Sequence, residues 1–129
     1  MAKIMLIMLG GAIGSGLRYA VAGWMQRLTD DPFPVGTMTV NVAGCLVIGV
    51  LGFLFAGPVI VREEYRFMIL VGVLGGFTTF SSFGFETLTL VNDGQMGRAM
   101  LNVVLNNALG LAAVWIGFRL TERIVGGAA

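Results

Sequence analysis

The chain has 129 residues, of which 57% are hydrophobic and 12% charged, with a formal net charge of +1. A soluble domain carries about twice that share of charge, so the composition points to a membrane protein, and the near-neutral balance argues against nucleic acid or an acidic substrate as partner. With no histidine and Cys45 as the single cysteine, the usual zinc sites lack ligands and a disulfide framework within one chain is excluded.

Four apolar segments, residues 4–25, 35–57, 67–91 and 99–118, follow one another. At about 1.5 Å per residue, each is long enough to cross a hydrocarbon core of about 30 Å. The expectation is an all-α membrane protein with four transmembrane helices in one domain covering the whole chain. The linkers, residues 26–34, 58–66 and 92–98, are short and polar, so neighbouring helices run antiparallel. The start of the chain looks at first like a signal peptide. Its apolar run goes past the core of such a peptide, carries Arg18 and lacks a cleavage site, so it is expected to be the first span. If all four segments span, Lys3, Arg62, Arg66, Arg119 and Arg123 share one side, and Arg27 and Arg98 lie on the other. That bias places the termini in the cytoplasm. Glu63, Glu64 and Glu122 dilute it, and insertion in both orientations stays open.

The first span is rich in small residues. Gly10 and Gly14 form a G-x-x-x-G, a spacing that lets helices approach closely. Arg18 lies well inside the span. A guanidinium there either pairs or reaches a wet cavity, or snorkels to the nearer interface. Trp24 fits an interfacial aromatic. The second span opens after Pro34 and carries Thr37, Thr39 and Asn41. The Asn41 carboxamide needs partners at membrane depth. Its NH2 can donate to a carbonyl on another helix or to an anion. Cys45 reads as packing.

The third span contains the unusual stretch, residues 75–83, GGFTTFSSF. Two glycines weaken a helix, and four hydroxyl side chains offer its backbone other partners, so the third helix is expected to break near its middle. Freed backbone groups in lipid cost several kcal/mol unless protein, ions or water satisfy them, which makes the break a candidate site. Phe77, Phe80 and Phe83 recur every third residue and share a face if the chain there is helical. Phenylalanine has a positive ring edge, which can face a small anion; packing in a core or against lipid is the plainer role. Glu86 is the one carboxylate within a span, with three roles open: pore mouth, proton coupling, or partner to Arg18. In the fourth span Asn102 and Asn106 share a face that Gly110 continues, with Asn107 beside them. They read as a polar track facing Asn41 and the break.

These residues together resemble the Fluc (CrcB) family of fluoride channels. The match lies in Gly14-Ser15-Gly16-Leu17-Arg18, in Pro34-x-Gly36-Thr37-x-x-Val40-Asn41-x-x-Gly44, and in GGFTTFSSF followed by Glu86, in that order. The resemblance implies a passive, fluoride-selective channel in the cell (inner) membrane that lets cytoplasmic fluoride escape. It implies an antiparallel, dual-topology homodimer with two pores, the broken third helices crossing at its centre. A structural sodium ion, not transported, would be held there by the backbone carbonyls of Gly75 and Thr78. Phe80 and Phe83 would be the pore phenylalanines, Asn41 the pore asparagine and Glu86 the glutamate near the pore. Ser81 and Ser82, with Asn102 and Asn106 on the fourth helix, would complete the anion path. The partners implied are fluoride, a second copy of the chain and lipid, with no nucleic acid. The competing reading is a proton-coupled small-ion exporter using Glu86, or a multidrug exporter of the four-helix dual-topology type. Those multidrug exporters rely on a carboxylate in the first span, where this chain has Arg18. No nucleophile–base pair in the spans points to an enzyme.

Overall fold

The computed structural model describes residues 1–126 and is helical throughout, apart from short connections. The first two spans are α1 (Ala2–Arg27) and α2 (Val35–Ala56). The third is composite. It begins with α3 (Glu63–Phe67), widens into a π-helical segment (Met68–Val73), returns to α4 (Leu74–Phe77), and resumes as α5 (Phe80–Asn92). The fourth is α6 (Met96–Thr121), continued by a π-helical turn (Glu122–Gly126). Four helical stretches, Ala2–Arg27, Val35–Ala56, Glu63–Asn92 and Met96–Gly126, are long and apolar enough to cross a membrane. The chain is an all-helical, multi-pass membrane protein. The helices outrun the apolar segments because charged residues such as Lys3, Arg27, Glu63 and Arg98 fall within helical turns at their ends.

Close backbone approach sets the packing. α1 lies against the π-helical segment and α4, and α6 against α2. On the first seam a Cβ on Gly10 would stand 2.5 Å from the Met68 carbonyl oxygen, and one on Gly76 2.7 Å from that of Gly11. A Cβ on Gly14 would run into the Val73 carbonyl. Two helices meet backbone to backbone here, as small residues at this spacing allow. Gly49 and Gly117 do the same between α2 and α6.

The outer surface is apolar nearly all round, with Ile4, Met8, Leu17, Leu88, Leu101, Leu111 and Ile116 among the exposed side chains. Trp24 and Trp115 are exposed near the C-terminal ends of α1 and α6. The connection before α2 is pinned by one side chain. Gln26 Nε2 donates to the carbonyls of Asp31 and Phe33, both at 3.0 Å, and its Oε1 accepts the Gly36 N–H at 3.1 Å. Asp31 in that loop accepts from Arg98 at the start of α6 and from the Phe33 N–H. The loop is thereby tied to the turn that follows α5.

Candidate functional site

The third span breaks at Thr78 and Thr79, both in extended conformation (φ −87°, ψ 159° and φ −152°, ψ 120°). Gly75 and Gly76, the residues that weaken the helix on paper, lie inside α4. Gly76 is needed there for the approach to α1, and the interruption falls on the threonines instead. Each threonine closes one helix end. Thr78 donates both its N–H and its Oγ1 to the Leu74 carbonyl, each at 3.0 Å, finishing α4. Thr79 Oγ1 accepts the Ser82 N–H at 3.2 Å, the N-cap geometry that opens α5. The same hydroxyl contacts Ser82 Oγ at 3.1 Å and Ser81 Oγ at 3.4 Å.

Asn41 on α2 meets the break side-on. Its Oδ1 accepts the Thr79 N–H at 2.8 Å and its Nδ2 donates to the Thr79 carbonyl at 3.1 Å. Because the Thr79 N–H turns to Asn41, the Gly75 carbonyl loses the donor four residues on that a continuous helix would supply. The Thr78 carbonyl accepts from Arg18 Nη1 at 3.2 Å, so Arg18 reaches inward to the break instead of snorkelling outward. The break thus exposes carbonyl oxygens at the end of α4 and N–H groups at the start of α5, two poles of opposite sign a few residues apart.

Next to the break lies a cleft of about 340 Å³ with no charged residue in its lining. Asn41, Thr79, Phe80, Phe83 and Asn106 contribute to it, with Gly75 and Thr78 at the break and Cys45 and Asn107 alongside. Phe80 and Phe83 sit with ring centroids 5.3 Å apart, tilted by 54°. Their settings differ: Phe80 is 81% exposed on the single chain and Phe83 is 7% exposed. Ser81 is exposed and Ser82 half-buried.

Three positions of the expected polar track settle differently. Asn106 joins Asn41, whose Nδ2 donates to its Oδ1 at 3.2 Å. Asn102 is 0% exposed and absent from the cleft lining; it reaches the site through Asn106, whose Nδ2 donates to its Oδ1 at 2.8 Å. Gly110 lets α6 approach Cys45, with a built Cβ 3.4 Å from its Sγ. Glu86 does not meet Arg18. Its Oε1 accepts from Thr37 Oγ1 at 2.6 Å, while Oε2 is buried without a partner.

Sequence reasoning named Thr37 and Asn107 without giving either a place in the site, and passed over Thr87. Thr37 stands one helical turn before Asn41 on the same face, the signal that ties it to the site. Thr87 accepts from Asn102 Nδ2 at 2.9 Å, and only the packing of α5 on α6 brings the two together. Among the described residues no group of three acidic, cysteine or histidine side chains could hold a metal. A cation at the break would rely on backbone oxygens. Neutral carbonyls suit a hard cation, and the Gly75 carbonyl is free for one. One chain brings two such carbonyls, and that of Thr78 already shares a lone pair with Arg18.

The fold and site define a multi-pass helical membrane protein with a polar cleft, free of charged lining residues, at an intramembrane helix break. The family described as CrcB-like protein, Camphor Resistance (CrcB), matches residues 5–118. The chain belongs to that family. It is 43% identical over 123 residues to a protein of Methylobacillus flagellatus named fluoride-specific ion channel FluC, covering 95% of this chain and 96% of the relative. Proteins of the same name from Parabacteroides distasonis (43% identity, 97% of each chain) and Opitutus terrae (46% identity, 91% of this chain and 90% of the relative) are similarly close.

Proposed function

We propose that this chain is a fluoride-specific channel of the cell (inner) membrane, passively releasing fluoride from the cytoplasm and so lowering its concentration there. The observation that carries this reading is the polar cleft at the break, free of charged lining residues, in a chain similar along nearly its whole length to proteins named as fluoride channels. A small, strongly hydrated anion gives up water only where other donors replace it. The ring edges of Phe80 and Phe83 in the cleft and the hydroxyls of Ser81 and Ser82 beside it are donors of that kind, while the carboxamides of Asn41 and Asn106, whose amide protons are held by Thr79, Asn106 and Asn102, would have to turn one toward the ion. A lining without a fixed cation keeps the ion from being held too tightly. Glu86 is hydrogen-bonded to Thr37, which stands one helical turn from Asn41 on α2, and would serve the path outside the cleft itself.

In this reading the working unit is an antiparallel, dual-topology homodimer. Support comes from the single chain itself: Gly75 is exposed and its carbonyl lacks a helical donor, a state lipid cannot satisfy. A second copy crossing at the break would cover that carbonyl and the exposed Phe80. It would also pool the Gly75 and Thr78 carbonyls of two chains around a structural sodium ion, with Arg18 bracing the Thr78 side.

The test is reconstitution into liposomes loaded with fluoride or chloride, with efflux followed by an ion electrode. Rapid fluoride efflux without chloride efflux is expected. Fluoride movement that stops when the proton gradient is collapsed would replace the channel by an exchanger using Glu86.

A further inference from the structure

Hydrogen bonds through Asn41, Asn106, Asn102 and Thr87 form one directed chain that starts at Thr79, the cap of α5, and returns to that helix at Phe83, one turn later. Its sense is dictated by backbone groups that can act in only one way. The Thr79 N–H can only donate, so the Asn41 atom facing it is Oδ1, at 2.8 Å. Nδ2 must then face Asn106, whose Oδ1 accepts at 3.2 Å. That leaves the Asn106 Nδ2 for Asn102, where it donates to the backbone carbonyl at 3.1 Å and to Oδ1 at 2.8 Å. The backbone carbonyl can only accept, which fixes this amide a second time. The Asn102 Nδ2 then donates to Thr87 Oγ1 at 2.9 Å, and the Thr87 hydroxyl donates to the Phe83 carbonyl at 2.7 Å.

We propose that Asn102 and Thr87 are positioning residues for the ion path: they fix the amides of Asn106 and Asn41 and so set the first turn of α5, which carries Phe80 and Phe83. Neither residue lines the cleft, and Asn102 has no exposed surface. Every donor in the chain points the same way, so each bond polarises the next. Cutting the far end at Thr87 frees the Asn102 amide to turn, and with it the register of the two carboxamides that do line the cleft. The fluoride-flux part of this inference rests on the channel reading; the geometric part does not.

The experiment compares Thr87→Val, Thr87→Ser, Asn102→Leu and the Thr87→Val/Asn102→Leu pair, by fluoride efflux from proteoliposomes and by the side-chain NH2 resonances of Asn41 and Asn106. Thr87→Val is expected to slow efflux at least tenfold and to shift both amide resonances. Thr87→Ser, which keeps the hydroxyl, should restore both readouts. The pair should be no worse than Asn102→Leu alone. Should Thr87→Val not fold, Thr87→Ala makes the same cut and carries the same expectations. Wild-type efflux with unshifted amides after loss of the hydroxyl would overturn the proposal, as would fully additive losses in the pair. A wild-type protein that moves no fluoride would overturn the channel reading alone, since the amide resonances report the relay without any ion.

Discussion

The carboxamide of Asn41 holds the backbone of Thr79 from both sides, accepting its N–H at 2.8 Å and donating to its carbonyl at 3.1 Å. This is the pairing one strand residue offers another, supplied by a side chain from a different helix. It lets an extended residue persist in the middle of a membrane span without orphaned polar groups.

Asn41→Asp tests that clamp. The new oxygen would face two acceptors, the Thr79 carbonyl and Asn106 Oδ1, and would bring negative charge into the cleft. An acceptor left unpaired costs about 1–3 kcal/mol. Loss of fluoride efflux together with a lower thermal midpoint in detergent is expected. Efflux at the wild-type rate would remove Asn41 from the site.

The two phenylalanines should separate stability from flux. Phe80 is 81% exposed on the chain and Phe83 7%. Phe83→Ala should destabilise the fold by about 3–5 kcal/mol, the range for an emptied core aromatic. Phe80→Ile should leave the fold of the single chain intact and abolish fluoride efflux by removing the ring edge. Paired unfolding and efflux measurements distinguish these outcomes.

Glycines on one face of α1 should differ sharply. A methyl on Gly14 lands on the Val73 carbonyl, while one on Gly11 meets nothing within 4 Å. Gly14→Ala should cost about 1–3 kcal/mol by overpacking the seam with the third span. Gly11→Ala should be neutral or slightly stabilising, since alanine is the better helix former. Thermal unfolding of the two variants side by side checks this.

Acid should loosen the loop before α2. The Phe33 N–H, then the Arg98 guanidinium, hold the Asp31 carboxyl below its ordinary value near 3.8. A depressed carboxylate pKa contributes stability above the unfolded value, and that contribution is lost as pH falls through the lower folded value. Stability should therefore drop below about pH 4 through this group, and Asp31→Asn should flatten that part of the profile. Because both side chains are largely exposed, the effect should be small and weakened by salt.

Much was legible in the sequence because it depends on local composition. Four long apolar runs determine the spans, since a chain in lipid must satisfy its backbone within each crossing. The density of glycine and hydroxyl residues in 75–83 marks a break in the third, and the asparagines four apart on α6 mark a polar face. Tertiary structure alone decided where those features act. Gly76 stays helical where it meets the backbone of α1, and the break falls on Thr78 and Thr79. Arg18 finds the Thr78 carbonyl sixty positions away, and Glu86 finds Thr37 rather than Arg18. Asn102, which its spacing places on the face of Asn106, sits fully buried behind it. Helical periodicity tells which side chains share a face; which neighbouring backbone that face meets depends on how the helices pack, and no spacing within one helix encodes it.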